Sequence, residues 1–205
     1  FLWGIERAVV ERMLTPVGDL TKEETRAWAR RLGLTTADKA ESVEICFVPG
    51  DDYAAVLERE LPADAPALAP GPLVTTSGEL VGEHRGFARY TVGQRRGLPG
   101  GGSAPRYVVA IRPETREVVV GTEAELAGHR VRLEEINWLA TPLAPGDRCL
   151  AQLRYRARAV PATVLSRDDV SLELALELPV RAIAPGQSGA LYDAADRLLG
   201  GGVIG

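Results

Sequence analysis

Val160-Pro161-Ala162-Thr163-Val164-Leu165, then Arg167-Asp168-Asp169, then Ser171-Leu172-Glu173-Leu174-Ala175-Leu176 decides the fold of the second half of the chain. Two short, mostly apolar stretches flank a charged turn whose aspartates can bond their own backbone, which is the pattern of an antiparallel hairpin. Outward from it the pattern repeats. Strands are predicted at Arg130 to Ile136, Cys149 to Tyr155, Gly189 to Tyr192 and Leu198 to Ile204, with turns at Pro145-Gly146-Asp147, Pro185-Gly186-Gln187 and Asp193 to Asp196. One helical piece, Glu123 to Ala127, precedes them. Short strands at near-regular spacing with no helix between them describe a small antiparallel barrel, and six strands can close without an exposed edge.

Before the barrel, from Leu73 onward, the period is also close to two. Leu73-Val74 and Leu80-Val81 flank Thr76-Ser77-Gly78, and Arg106 to Arg112 and Glu117 to Val120 flank Pro113-Glu114-Thr115-Arg116, giving two more hairpins. Between them runs Gly86-Phe87-Ala88-Arg89-Tyr90-Thr91-Val92-Gly93-Gln94-Arg95-Arg96-Gly97-Leu98, followed by further glycines. So many glycines beside arginines cannot make a packed strand, so a long loop is predicted, and long loops inside compact proteins are usually functional or disordered. It contains neither GxGxxG nor GxxxxGK[ST] and no helix pattern follows, which rejects a nucleotide fingerprint.

The first third reads as helical. Ile5 to Leu14 carries apolar residues at helical spacing and stops before Pro16. Thr21-Lys22-Glu23-Glu24 is a capping box opening a helix to about Leu32, with Gly33 as its left-handed stop. Tyr53 to Leu61 is a third helix, closed by Pro62. Pro62 to Pro72, rich in proline and alanine, reads as an extended connection between modules.

At 205 residues the chain can bury a core as one domain or two small ones. No apolar run approaches the roughly 20 residues that span a bilayer. Phe1-Leu2-Trp3-Gly4-Ile5 has no basic region before it or cleavage site after it, so the chain reads as cytoplasmic. The net charge of −4 argues by itself against nucleic acid, but its distribution is uneven. His84 to Arg106 contains five arginines and no acid, and Arg148 to Arg167 contains Arg148, Arg154, Arg156, Arg158 and Arg167, again with none. The planar guanidinium fork suits phosphate and base edges, although a solvated basic face would have the same composition.

Two distant cysteines outside CxxC spacing point away from a disulfide scaffold and from zinc. Cys46 sits in Ser42-Val43-Glu44-Ile45-Cys46-Phe47-Val48-Pro49, where it is either a buried small hydrophobe or a reactive thiol; Cys149, at the head of a strand, reads as a core or edge residue. His84 and His129 are the only histidines and GxSxG is absent, so a Ser/His/Asp hydrolase is unsupported, and an isolated histidine such as His84 is more often hydrogen-bonded than catalytic. The residues thus reach RNA binding with thiol chemistry. They do not choose between an enzyme and a binder.

Several stretches together resemble one family: Thr15-Pro16-Val17-Gly18-Asp19, Ala37-Asp38-Lys39, Ser42 to Pro49, Gly82-Glu83-His84-Arg85-Gly86, Tyr90-Thr91-Val92-Gly93-Gln94-Arg95-Arg96-Gly97-Leu98, Asn137-Trp138-Leu139 and Leu199-Gly200-Gly201-Gly202. In this order they are similar to the bacterial tRNA-specific 2-thiouridylases. The resemblance implies ATP-dependent adenylation of the wobble uridine followed by persulfide sulfur transfer to give 2-thiouridine. It implies ATP with Mg as cofactor, and tRNA and a sulfur-donor protein (a cysteine desulfurase or sulfur carrier) as partners of a monomeric, cytoplasmic enzyme. Cys46 would be the second of two catalytic thiols. Arg85, Tyr90, Gln94, Arg95 and Arg96 in the loop and Arg154 and Arg156 in the barrel would contact tRNA. The family's Ser-Gly-Gly-x-Asp-Ser phosphate loop and first cysteine are missing from this sequence. A non-catalytic RNA-binding module that has lost its catalytic half is therefore the alternative. The implied fold is α+β: a remnant of an α/β PP-loop domain (about 1–12 and 43–56) and a small mixed central domain (about 13–42 and 57–120). A C-terminal antiparallel six-stranded β-barrel (121–205) follows.

Overall fold

The computed structural model describes residues 2–39, 53–98, 105–155 and 157–205. Three helices come first: α1 (Arg7–Val10), α2 (Lys22–Arg31) and α3 (Tyr53–Glu60). Four strands follow, β1 (Gly71–Thr75), β2 (Leu80–His84), β3 (Tyr107–Arg112) and β4 (Glu117–Gly121). The barrel strands are β5 (Ala127–Trp138), β6 (Arg148–Gln152), β7 (Val160–Arg167), β8 (Ser171–Arg181), β9 (Ser188–Tyr192) and β10 (Leu198–Ile204).

The six C-terminal strands close in the order β10-β5-β8-β7-β6-β9, antiparallel throughout. Register follows from which side chains must leave water. Leu133 lies opposite Leu172 and Val131 opposite Leu174, and these meet Leu153, Val164, Leu191 and Ile204 in one buried cluster. Burying each large aliphatic side chain stabilises by about 1.5–3 kcal/mol. β8 runs past the predicted end at Leu176 to Arg181. Pro179 lies in that extension, beyond the last pairing with β7, so its missing N–H breaks no ladder on that side. β6 stops at Gln152, short of the predicted Tyr155. The Gln152 amide donates to the Ala157 carbonyl (2.8 Å), which turns the chain away from the barrel after β6.

The second sheet, β2-β1-β4-β3, pairs two antiparallel hairpins through a parallel contact between β1 and β4. Both hairpins stand where sequence places them. Leu73, Val108, Val118 and Val120 are its buried centre, and Phe87, Tyr90 and Leu98 of the arginine-rich loop pack onto it. Tyr107, Leu126 and Ala182 form a further buried cluster joining this sheet to the end of the barrel.

The capping box is present: the Glu24 N–H donates to Thr21 Oγ1 (3.2 Å) and the Thr21 N–H to Glu24 Oε2 (2.8 Å), with Gly33 at φ +65° as the stop. The helix expected over 5–14 is reduced to the single turn of α1, after a 3-10 turn at Leu2–Gly4. Val9, Met13 and Leu14 remain exposed, and a short helix without a packed face has little to hold it. The Pro62 to Pro72 connection is not extended. Its carbonyls accept in successive turns, Pro62 from Ala65 (2.9 Å) and Ala65 from Leu68 (2.9 Å), and Ala67 accepts from the Ala88 N–H (3.1 Å). Proline presets the dihedral angle a turn needs, so the same composition gives turns once a surface is there to fold against. Among the described residues no helix is long and apolar enough to cross a membrane.

The N-terminal turn docks on the barrel. Asn137 of β5 donates through its amide to the carbonyls of Trp3 and of Ile5 (2.9 Å). A Cβ at Gly201 of β10 would stand 2.7 Å from the Trp3 ring, so only glycine admits the indole there.

Candidate nucleic-acid interface

The arginine-rich loop begins at His84, which is buried at 2% exposure. The Gly86 N–H donates to Nδ1 (3.0 Å), which places the ring proton on Nε2, and Nε2 donates to the Arg116 carbonyl (2.8 Å). One imidazole thus ties the end of β2 to the β3–β4 turn, the hydrogen-bonded role expected of an isolated histidine. Gly86 follows at φ +115°, with the backbone of Ala67 and Leu68 2.9 Å from where a Cβ would be. No side chain fits there.

Tyr90 turns inward onto the sheet core, its ring 5.6 Å from that of His84, and desolvation raises its pKa above the ordinary tyrosine value. The ring of Tyr90, expected from the resemblance to contact tRNA, packs here against the sheet. Gln94 bonds within the loop through both ends of its amide: Oε1 accepts from the Thr91 N–H (3.0 Å) and Nε2 donates to the Arg96 carbonyl (2.9 Å). Its backbone carbonyl also accepts from the Val108 N–H (2.9 Å), and the Gly93 N–H donates to the Val108 carbonyl (2.8 Å). The loop is irregular but stapled to β3, and Gln94 shapes the turn that displays Arg95 and Arg96.

Arg85, Arg95 and Arg96 are exposed, and their guanidinium groups make no ion pair or hydrogen bond with a described residue. Of the five arginines between His84 and Arg106, Arg89 alone has a carboxylate partner among the described residues, Glu58. Elsewhere carboxylates neutralise the arginines: Arg30 with Asp38 (2.7 Å), Arg112 with Glu117 (2.9 Å), Arg148 with Glu177, Arg197 with Asp193 (2.6 Å). An arginine already paired has less to offer a phosphate; the loop arginines keep their full charge and all five donors.

The barrel brings a further cation to the same junction. Gly93, at φ +88°, packs against Ala182: a Cβ on this glycine would stand 2.8 Å from that side chain. The residue before Ala182, Arg181, accepts at its carbonyl from Arg154 (3.4 Å), an interaction that leaves the Arg154 charge uncompensated. Arg181 itself pairs with Glu123 (2.7 Å) and lies over the Tyr107 ring. Arg85, Arg95, Arg96 and Arg154 thus keep their charge free, while Tyr90 and Gln94 hold the loop. Cys46 and Arg156 lie outside the described residues. Tyr155, which the sequence pattern assigns to a strand, is 88% exposed in the loop after β6. The available signal was an aromatic residue set between Arg154 and Arg156.

Cys149 is a core residue. Burial pushes its thiol up to about 11, so it stays protonated and inert near neutral pH. ATP with Mg does not fit the described residues. They contain no group of three or more His, Cys, Asp or Glu that could hold a metal, and the N-terminus of α2 is closed by its own Thr21–Glu24 box and by the acidic Glu23.

Three family models match in order: the tRNA methyl transferase HUP domain over residues 1–50, the tRNA methyl transferase PRC-barrel domain over 56–122 and the Aminomethyltransferase beta-barrel domain over 128–204. The tRNA-specific 2-thiouridylase MnmA of Acidithiobacillus ferrooxidans is 44% identical over 206 residues, covering 100% of this chain and 57% of that protein. Those of Rhodospirillum centenum and Chlorobium chlorochromatii are 43% and 38% identical, covering 100% of this chain and 53% and 57% of their own lengths. The chain spans little more than half the length of these relatives. With similarity along all of it and three successive domain models matched, the chain belongs to the tRNA-specific 2-thiouridylase family.

Proposed function

We propose that the protein is a tRNA-uridine 2-sulfurtransferase that converts the wobble uridine of tRNA to 2-thiouridine. The observation that carries this reading is the set of unpaired arginines, Arg85, Arg95 and Arg96, on a stapled loop beside Arg154, in a chain similar throughout to proteins named tRNA-specific 2-thiouridylase. The arginines grip the RNA backbone and the barrel braces the anticodon arm. Cys46 serves as the second thiol: its thiolate attacks the inner sulfur of a persulfide on a partner cysteine, forming a disulfide as the outer sulfur leaves as hydrosulfide, which adds to C2 of the uridine and expels the adenylated oxygen as AMP. A thiolate is best suited to this exchange when its pKa lies near ambient pH. A reductant must then restore the two thiols. ATP with Mg, which would activate the uridine oxygen, belongs to residues outside those described. A sulfur-donor protein supplies the persulfide, and the enzyme works as a monomer in the cytoplasm.

The test uses the intact protein with unmodified tRNA transcript, ATP and a persulfide source. Cys46→Ser abolishes 2-thiouridine formation while tRNA binding is kept; normal thiolation by this variant would remove Cys46 from the chemistry. Arg95→Ala with Arg96→Ala weakens binding and flattens its salt dependence by about one unit for each phosphate no longer neutralised. Binding by the intact protein without any thiolation would favour a non-catalytic RNA-binding module instead.

A further inference from the structure

The loop arginines and Arg154 come from different parts of the chain, and one dipeptide at the end of β8 touches both. The Arg181 carbonyl accepts from Arg154 (3.4 Å), while the Arg181 guanidinium lies 4.7 Å from the centre of the Tyr107 ring and pairs with Glu123 (2.7 Å). Next in the chain, Ala182 is buried at 5% exposure, and its N–H donates to the Leu126 carbonyl (2.9 Å). Val92 of the arginine-rich loop packs on the cluster that Ala182 forms with Tyr107 and Leu126. Gly93 comes so close that a Cβ on it would stand 2.8 Å from the Ala182 side chain. The Ala182 methyl is therefore a stop for the loop, two residues before Arg95.

The backbone at this stop is strained. Ala182 has φ +55°, in the left-handed region where a Cβ crowds the following carbonyl and only glycine is relaxed. Such a conformation persists where the surroundings fix it, here the hydrogen bond to Leu126 and the packing around Tyr107. Glycine would suit this backbone, so what alanine adds is the methyl, and the methyl meets Gly93. We propose that Ala182 is a positioning residue for RNA binding: its methyl sets the loop against the barrel, so that Arg95 and Arg96 stand at a fixed separation from Arg154 and engage one RNA backbone together. Groups already held in place need no ordering when the RNA arrives, so a fixed separation strengthens binding without adding a contact. Ala182 acts only through the arginines, and its role rests on the tRNA-binding reading above.

Filter binding of an unmodified tRNA transcript to the full-length protein, beside urea unfolding of each variant, tests it. Ala182→Gly loses the methyl but relaxes the backbone, so the unfolding midpoint stays close to that of the parent. Affinity nevertheless falls roughly 3- to 10-fold, within the usual coupling between residues in contact. Ala182→Ser keeps a Cβ against Gly93 and binds as the parent does. In a protein already carrying Arg95→Ala and Arg96→Ala, Ala182→Gly weakens binding no further, because the arginines it positions are gone. If Ala182→Gly binds normally while Arg95→Ala with Arg96→Ala weakens binding, the positioning role fails and the tRNA-binding reading survives. If the arginine variant binds as the parent does, both fail. A loss with Ala182→Gly that persists at full size without Arg95 and Arg96, or that Ala182→Ser shares, would also overturn the role of the methyl.

Discussion

Replacing His84 by phenylalanine separates a histidine that builds the loop from one that does chemistry. Phenylalanine keeps a planar ring but can neither accept nor donate, so the change removes both hydrogen bonds, and the strain of its larger ring adds to the loss. In the native chain Nδ1 accepts from Gly86 at 3.0 Å and Nε2 donates to Arg116 at 2.8 Å, in a site where the residue is 2% exposed. After His84→Phe the Gly86 N–H and the Arg116 carbonyl lose these partners. The buried Gly86 N–H left unsatisfied costs about 1–3 kcal/mol, and the part-buried carbonyl of the exposed Arg116 adds less, for a loss of about 2–4 kcal/mol. With a urea m-value of about 2 kcal/mol/M, a loss near 3 kcal/mol lowers the unfolding midpoint by about 1.5 M. The assay is urea unfolding followed by tryptophan fluorescence, with tRNA affinity measured in parallel below the transition. Binding should weaken, because the entry to the Arg85–Arg96 loop is untied. A variant with an unchanged midpoint that has lost all thiolation would overturn the supporting role and make the imidazole a reactive group.

Further outcomes follow from two titrating groups, Glu125 and Cys149. Glu125 is held at about 2, against an ordinary 4.5, first by the Thr76 hydroxyl and then by the backbone and hydroxyl of Thr122. A depressed carboxyl stabilises the fold above its unfolded pKa and loses that contribution as pH falls from about 4.5 through about 2. Glu125→Gln should therefore melt below the parent at pH 6, with the gap closing toward pH 2; a gap independent of pH would contradict the assignment. Cys149, pushed up to about 11 by burial, should take no iodoacetamide at pH 8 in the folded chain and label fully in urea. Cys149→Ala should cost about 1 kcal/mol and leave thiolation by the intact protein unchanged. Labelling of Cys149 in the native chain, or loss of activity in the alanine variant, would count against its structural role.

Much of the fold was legible along the chain because its signals are local. The Thr21–Glu24 box, the turns at Gly78, Gly146 and Gly186 and the alternation in Ser171 to Leu176 each act within a few residues, and the structure has all of them. Local signals misled where distant surfaces took over. The Pro62 to Pro72 connection folds into turns because it has Ala88 to bond. β8 continues through Pro179 because no β7 strand lies opposite, and β6 ends at Gln152 because that side chain reaches Ala157.

The interface divides in the same way. That arginines crowd two acid-free stretches is a property of the sequence alone. Which of them stay unpaired is not: Arg89 and Arg148 meet Glu58 and Glu177 from 31 and 29 residues away, while Arg85, Arg95 and Arg96 meet no carboxylate among the described residues. Likewise the sequence leads to Gln94 and Tyr90 as expected contacts, and only the structure adds that their hydrogen bonds and packing also support the loop. The class of each element and the places where positive charge is concentrated are written along the chain, because helix caps, turns and alternation are short-range. Which charges remain available emerged only in three dimensions, because neutralisation depends on residues brought together by closing the barrel.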